Sequence, residues 1–235
     1  MIRFQEFERL GVSAAACSDQ SDGDCRVGEG CNNIENVRRF CTNFGIEVHQ
    51  LVQIRQVHGN RVIRLRQNPA GGGAESGIRP LADADGLMTD VPGQALAVFV
   101  ADCVPVFLYD PKRRVGGLLH AGRQGSYSNI SGHAIETMAS EFGSHPADVH
   151  ALLGPSAGPC CYEVSPELAK AFAAKNLPVN GRYLDLWETN AQQLTAAGVP
   201  LKQIIVPRLC TICSGRFHSY RAHKTPARNM AVLVL

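Results

Sequence analysis

The sequence has little net charge, few aromatic residues and no long apolar run. Of its 235 residues, 23 are Lys or Arg and 21 are Asp or Glu, so the formal net charge is +2, and only 6% are aromatic. Balanced charge without a dense basic cluster argues against nucleic-acid binding but leaves room for a small basic pocket for an anionic metabolite. No stretch of about 18 apolar residues occurs, and the first ten residues carry charges where a signal peptide is apolar. We therefore expect a soluble, cytoplasmic protein that has no membrane partner.

Three familiar catalytic signatures are also missing. The chain contains no Walker phosphate loop and no GxSxG nucleophile turn. The segment at 28–33, GEGCNN, lacks the third glycine of a dinucleotide-binding fingerprint and does not clearly follow a strand. These absences argue against a P-loop enzyme, a Rossmann dehydrogenase and a hydrolase of the GxSxG type.

Cysteine is plentiful, but its number and spacing do not indicate a disulfide framework. The nine cysteines are an odd number in a long chain with no apparent export signal. The four that precede residue 45 lack the paired CxxC spacing of a zinc finger, so we expect them to behave as small apolar residues; they are Cys17, Cys25, Cys31 and Cys41.

Two further cysteine pairs lie in the second half of the chain. Cys160 and Cys161 are vicinal, which suits packing or pocket lining better than a disulfide. Cys210 and Cys213 form a CxxC, which can bind metal or shuttle electrons. Because no second CxxC accompanies it, chance spacing is the preferred explanation.

Apolar periodicity predicts a mixture of strands and helices. Strands are expected near 49–57, 61–66, 95–101, 104–109, 115–119, 149–153, 203–207 and 230–235. Helices are expected over about 34–44 and 130–142, from Ser165 onward, and over about 184–197, where Gly198 ends the helix. Because strands and helices do not strictly alternate, the pattern favours a layered α+β fold, as one domain over 1–235, with a Gly/Pro-rich loop at 68–80.

Three segments place a metal-ligating side chain at the end of an apolar strand. They are QVHG at 56–59, ADCVP at 101–105 and LLHAG at 118–122. If the strand ends meet, His58, Cys103 and His120 form a three-ligand zinc set with an open fourth position. The alternative is two hydrogen-bonded histidines at a core edge and one buried thiol.

Acidic and basic residues near these segments have two interpretations each. Asp85 can orient an imidazole or simply form a turn before Gly86, while the turn is preferred for Asp83. The segment at 216–235 contains Arg221 and Tyr220, which suit phosphate and an aromatic ring, but composition alone favours a solvated basic turn.

Taken together, seven ordered segments resemble the YfiH-type family of bacterial polyphenol oxidase or laccase-domain proteins. The segments are QVHGNRV, DADGLMTD, ADCVPVFLYDP, GLLHAG, GPSAGPCCYEV, LDLWETNAQQLTAAGV and FHSYRAHKTPARNM. The resemblance implies an α+β layered sandwich of mixed β-sheets flanked by helices. It also implies a metal site, carried here onto His58, Cys103 and His120, which would also be the catalytic residues.

Several activities come with that resemblance. They are phosphorolysis of adenosine, inosine and S-methyl-5′-thioadenosine, deamination of adenosine, copper-dependent phenol oxidation, and a role in peptidoglycan precursor editing. One Cys with two His makes at most one copper site, so the nucleoside chemistry is favoured. The expected metal is zinc, with copper as its alternative. The expected small-molecule partners are a nucleoside and phosphate. We expect a monomer or weak homodimer. The residues expected to bind substrate are Arg61, Arg123, Arg221, Tyr220 and Asp85.

The sequence departs from the family pattern in two places. Where family members usually read HAGWRG, this chain has His120-Ala-Gly-Arg-Gln-Gly, so Arg123 replaces the usual Trp and Gln124 the usual Arg. The usual Asn-Leu-Gly segment near the N-terminus is also absent, and CRVGEGCNNIENVRR occupies that region. A divergent member that binds metal without catalysis is therefore a third hypothesis.

Overall fold

The computed structural model describes residues 1–28, 31–66 and 80–235, in which two large β-sheets lie face to face. The strands in these ranges are β1 (Ile2–Arg3), β2 (Ala14–Cys17), β3 (Val27–Gly28), β4 (Cys31–Asn32), β5 (Leu51–Val52), β6 (Val62–Leu65), β7 (Gly86–Thr89), β8 (Ala95–Val100), β9 (Val104–Asp110), β10 (Val115–Ala121), β11 (His150–Leu153), β12 (Val179–Asn180), β13 (Tyr183–Leu184), β14 (Ile204–Ile205) and β15 (Asn229–Val234). The α-helices are α1 (Gln5–Glu8), α2 (Ile34–Thr42), α3 (Arg123–Tyr127), α4 (Ile130–Phe142), α5 (Pro166–Ala174), α6 (Leu186–Ala196) and α7 (Tyr220–His223).

Both large sheets are mixed. The first has the strand order β1-β2-β15-β8-β5, and only its β5–β8 pair is parallel. The second has the order β14-β11-β9-β10-β7-β6, with parallel pairs at its two edges and antiparallel pairs between them. Strands that are distant in sequence are therefore neighbours in both sheets.

The space between the sheets is filled by large apolar side chains from both of them. Leu96 and Leu233 of the first sheet pack in one cluster with Phe107 and Leu118 of the second. All four are fully buried, and at about 25 cal/mol per Å² of buried apolar surface such residues supply most of the stabilisation of the sandwich.

Helices cover the outer faces of both sheets. Phe40 of α2 packs on the first sheet against Val232, and Met138 of α4 packs on the second against Leu119. Four layers result, in the order helix, sheet, sheet, helix, so the predicted α+β sandwich flanked by helices is confirmed.

Helix boundaries follow the capping residues that the sequence offers. The Ser165 side chain accepts a hydrogen bond from the Leu168 N–H at the start of α5. Past the end of α6, Gly198 has a φ of +100°, a conformation that glycine adopts without steric cost. Helix α4 spans the predicted range 130–142.

Some expectations from periodicity were wrong, and others concern residues that the structure does not describe. The strand expected over 49–57 is only the two-residue β5, because Val48–Gln50 forms a 3₁₀ turn and Arg55 makes an isolated bridge with Asp83. Strands β2 and β7 were not predicted, since four-residue buried runs carry no alternation. Residues 29–30 of the GEGCNN segment and 68–79 of the Gly/Pro-rich loop lie outside the described residues. In the described part, none of the helices has the length and apolar character needed to span a bilayer.

Candidate metal centre and substrate cavity

Antiparallel pairing of β9 with β10 brings two of the three predicted ligands together. Cys103 immediately precedes β9, and His120 lies at the end of β10, opposite Pro105. His58 approaches from the loop before β6, and its ring lies 4.8 Å from the His120 ring, centroid to centroid. The ligand atoms of His58, Cys103 and His120 all lie within 4.8 Å of one another. The predicted convergence of the three segments is confirmed.

Asp85 holds two of these ligands in place. Its carboxylate is fully buried, and its Oδ1 lies 2.8 Å from Nδ1 of His120. The same carboxylate accepts hydrogen bonds from the backbone N–H groups of Val57, His58 and Gly59, at 3.3, 2.9 and 2.7 Å. Because Nδ1 of His120 is engaged, Nε2 is the nitrogen that faces the other two ligands. Asp85 therefore contacts His120, as the imidazole-orienting interpretation expects.

Two ligand loops have left-handed backbone conformations at non-glycine residues. His58 has a φ of +62° and Asp102, next to Cys103, a φ of +86°. The Asp102 carboxylate accepts hydrogen bonds from the Thr211 hydroxyl at 2.6 Å and from the backbone N–H of Arg221 at 2.7 Å. Such conformations cost free energy and persist only where surrounding contacts impose them, which is common at functional sites.

Charge within the cluster favours a thiolate beside an imidazolium. Burial would raise the pKa of Cys103, but the charge of His120 and hydrogen bonds from both histidines outweigh it and lower that pKa to about 6. Burial would lower the pKa of His120, but the Cys103 thiolate and Asp85 raise it to about 9. Deprotonated sulfur is the form that binds metals and acts as a nucleophile.

The three donors fit a single metal ion. Two imidazoles and a thiolate suit zinc or copper, and three protein ligands leave one coordination position for a substrate or water. Gly122 keeps the space among them open, since a Cβ there would lie 3.0 Å from Cys103 Sγ and 3.3 Å from His58 Cδ2.

The cluster lies at the wall of a cavity of about 1180 Å³. This volume exceeds the roughly 300–1,000 Å³ of ordinary ligand pockets, so a nucleoside-sized molecule can enter with a second ligand. Cationic residues outnumber acidic ones along its lining. The cations are Arg26, Arg55, Arg123, Arg221, Lys224 and Arg228, and the carboxylates are Asp83 and Asp102.

The predicted substrate-binding residues are divided between the cavity and its surroundings. Arg123, Arg221 and Tyr220 line the cavity. Arg61 does not line it, and its guanidinium donates to the Asp83 carbonyl oxygen at 3.0 Å. Asp85 lies behind the ligands rather than on the cavity surface.

Sequence reasoning did not single out two aromatic residues of the lining, Phe99 and Tyr162. Tyr162 follows the vicinal cysteines and carries the Arg221 guanidinium over its ring, 5.2 Å from the centroid. Its position in the GPCCYEV turn was the available signal, but the adjacent vicinal thiols are the more conspicuous feature of that segment.

Comparison with known proteins places the chain in a family. Residues 6–235 match the sequence model of the family described as multi-copper polyphenol oxidoreductase laccase. The chain belongs to this laccase family. The resemblance drawn from the seven segments is therefore confirmed.

Proteins with other names are similar to the chain over most of their length. The chain is 32% identical to purine nucleoside phosphorylase YlmD of Geobacillus stearothermophilus over 212 residues, 86% of this chain and 77% of that one. It is 34% identical to a purine nucleoside phosphorylase of Corynebacterium glutamicum over 233 residues, 96% and 90% of the two chains. The crystal structure of YfiH from Bacillus licheniformis is 30% identical and matches 94% of this chain and 92% of its own, with a TM-score of 0.83.

Proposed function

We propose that the chain is a metal-dependent purine nucleoside phosphorylase. Its substrates would be adenosine, inosine and S-methyl-5′-thioadenosine, which phosphate would cleave to the free base and a ribose or methylthioribose 1-phosphate. The observation that carries this proposal is the His58, Cys103 and His120 donor set at the wall of a large cavity with a cationic lining. Relatives named purine nucleoside phosphorylase that are 32–34% identical support it.

Phosphate would bind among the cations near the ligands. Arg123 follows Gly122 directly and makes no ion pair or hydrogen bond to the described residues, so its guanidinium is available for an anion. Arg221 donates through one nitrogen to the Glu163 carbonyl oxygen at 2.7 Å, which fixes its position and leaves other donors for phosphate. Arginine suits this role because its planar donors match two phosphate oxygens at once.

The nucleoside base would bind against the aromatic part of the lining. Tyr220 is 53% exposed and lines the cavity, so its ring can stack on a purine. Phe99 adds a second apolar surface on the same cavity. The ribose would then lie between the base and the phosphate, with C1′ accessible to attack.

The reaction balances without any redox partner. A phosphate oxygen forms a bond to C1′ while the C1′–N9 bond breaks, and the electron pair of that bond leaves with the base. The proton of hydrogen phosphate ends on the departing purine, so the products are the neutral base and a sugar 1-phosphate dianion. Cationic side chains would hold the phosphate in position for attack on C1′.

Zinc is the proposed metal, and His58, Cys103 and His120 would hold it. When bound, it would supply a Lewis acid beside the substrate. We extend the proposal to adenosine deamination, in which water replaces the 6-amino group and ammonia leaves.

Copper-dependent phenol oxidation is the second candidate, favoured by the family description and by a donor set that also accepts copper. Among residues 1–28, 31–66 and 80–235, however, only this one cluster of three or more possible ligands contains imidazole. Reduction of oxygen by a multicopper oxidase requires several copper ions, so the donor set favours the nucleoside reaction.

The deciding experiment is product analysis by chromatography. Zinc-loaded protein is incubated with adenosine, inosine or S-methyl-5′-thioadenosine, with and without phosphate, beside the variants Cys103→Ala and Cys41→Ala. Cys41 is a matched control because it is a fully buried thiol of α2, packed on the other sheet.

We expect phosphate-dependent release of base by the wild type and by Cys41→Ala, and none by Cys103→Ala. Inosine formed from adenosine would report deamination. Oxygen uptake with a phenol and copper, in the absence of base release, would refute the proposal in favour of the oxidase. Bound metal without any product would favour a member of the family that has lost catalysis.

A further inference from the structure

Four cysteines outside the cavity form a second cluster that the sequence did not predict. Cys160 and Cys161 lie in the turn after β11, and Cys210 and Cys213 in the turn after β14. The two turns are joined by a parallel bridge between Ser156 and Cys210. In that bridge the Thr211 N–H donates to the Ser156 carbonyl oxygen at 2.9 Å.

The sulfur spacing matches a metal tetrahedron rather than a disulfide. All four Sγ atoms lie within 4.8 Å of one another, and those of Cys160 and Cys213 are 3.8 Å apart. A tetrahedron with Zn–S bonds of about 2.3 Å has edges of about 3.8 Å. A disulfide requires about 2.05 Å between sulfurs, so this pair is far from bonded.

Backbone donors around the cluster suit negatively charged sulfur. The Gly158 N–H donates to Cys210 Sγ at 3.4 Å, and the backbone N–H groups of Ile212 and Cys213 are directed at the same atom. Donors that converge on one sulfur stabilise a thiolate, which is the ligating form. Cys160 and Cys213 are exposed, so an ion can reach the cluster from solvent.

We propose that Cys160, Cys161, Cys210 and Cys213 bind one zinc ion in a structural site separate from the His58, Cys103 and His120 centre. Four sulfur donors without imidazole or carboxylate select a thiophilic ion, and full occupation by protein ligands is typical of structural zinc. The ion would fasten the turn after β11 to the turn after β14. Zinc binding at this site can be measured whether or not the protein has the proposed phosphorylase activity.

The site would also stabilise the loop that carries Cys103. Thr211 lies between two of the ligands, and its hydroxyl donates to the Asp102 carboxylate at 2.6 Å. The Ala157 N–H, next to the bridge residue Ser156, donates to the Asp102 carbonyl oxygen at 2.9 Å. Both turns held by the ion therefore contact the strained residue beside Cys103.

The test is metal content of the full chain, purified under reducing conditions and saturated with zinc before removal of excess. The variants are Cys103→Ser, which disables the first centre, and the double variant Cys160→Ser/Cys213→Ser, which replaces the two exposed thiols of the second. Cys41→Ser is the control for loss of an unrelated thiol.

We expect two zinc ions per chain in the wild type and in Cys41→Ser, and one in each of the other variants. Cobalt added to zinc-free Cys103→Ser should give the intense sulfur-to-cobalt absorption of a tetrathiolate, and cobalt added to the double variant should not. Because the Cys103→Ser variant keeps all four cysteines of the cluster, its cobalt spectrum tests the site even if the double variant is unstable.

Either of two results would overturn the proposal. The first is a Cys103→Ser variant that binds no zinc and, with cobalt, gives no tetrathiolate spectrum. The second is a Cys160–Cys213 disulfide found by peptide mapping in freshly isolated protein together with one zinc ion per wild-type chain. Failure of the phosphorylase assay alone would leave these measurements unaffected, so the two proposals are tested separately.

Discussion

Replacing Asp85 by asparagine should weaken metal binding without changing the shape of the side chain. Each carboxylate oxygen accepts two N–H donors: Oδ1 from His120 and from the His58 backbone, Oδ2 from the Gly59 and Val57 backbones. An amide offers one oxygen, so in either orientation two buried donors face an NH₂ group. In the orientation whose NH₂ replaces Oδ2, the Val57 and Gly59 N–H groups lose their acceptor. Each such donor costs about 1–3 kcal/mol, so the loop that carries His58 would lose about 2–6 kcal/mol of local stability.

The effect on the metal follows from the His120 tautomer. In the opposite orientation, with NH₂ in place of Oδ1, an amide N–H directed at Nδ1 of His120 would place the ring proton on Nε2, the nitrogen that faces Cys103 and His58. Loss of such an outer partner typically lowers metal affinity or activity about 10–100-fold. We therefore expect a zinc dissociation constant raised by about that factor in Asp85→Asn, measured by competition with a chromogenic chelator and accompanied by urea unfolding of the metal-free protein.

Asp83→Asn is the matched control, two residues away. Asp83 is exposed and pairs with Arg55 at the surface, where such pairs contribute about 0–1 kcal/mol. We expect it to keep both zinc affinity and stability. If Asp85→Asn binds zinc as tightly as Asp83→Asn while remaining folded, the conclusion that Asp85 positions His120 is wrong.

Three further predictions concern the same centre. In metal-free protein, the rate of Cys103 alkylation should be half-maximal near pH 6 and lower at more acidic pH, because a pKa of about 6 leaves roughly ten thiolates per thiol at pH 7. Peptide mapping after alkylation at a series of pH values measures this rate. A midpoint near the ordinary thiol pKa of about 8.5 would contradict the prediction. Gly122→Ala should weaken zinc binding, since the added Cβ would lie 3.0 Å from Cys103 Sγ. Unchanged zinc affinity in a chelator titration would show that the loop shifts to accommodate the methyl group. Arg221→Gln should raise the KM for phosphate about tenfold or more with a smaller change in kcat, since hydrogen bonds to charged groups contribute about 1.5–3 kcal/mol. Initial rates measured over a range of phosphate concentrations test this. A loss of kcat at constant KM would show that Arg221 has another role.

Much of the fold was accessible from local sequence patterns. Helix α4 has the predicted range, and the cap at Ser165 and the glycine after α6 mark helix ends because they act on adjacent backbone groups. Strands β8, β9, β10 and β15 follow long apolar runs and lie within about two residues of their predicted bounds. The strand order was not accessible, because pairing such as that of β15 with β2 depends on contacts between opposite ends of the chain.

The candidate site was predicted in its ligands but not in their support. The ends of β9 and β10 bring Cys103 and His120 together, while His58 comes from the loop before β6; each was recognisable because a reactive side chain follows an apolar run. The role of Asp85 required knowledge that β7 pairs with β10, since the hydrogen bond to His120 spans 35 residues. Local turn chemistry described Asp85 equally well until that pairing was known.

The four-cysteine cluster shows where spacing rules fail. A search for paired CxxC motifs rejects it, because one pair is vicinal and the contact between Cys160 and Cys213 spans 53 residues. What unites the pairs is the parallel β11–β14 edge of the second sheet, which continues into the Ser156–Cys210 bridge. Because the Thr211 hydroxyl and the Ala157 N–H both contact Asp102, the residue before Cys103, we expect a change at the cysteine cluster to affect the proposed catalytic centre as well.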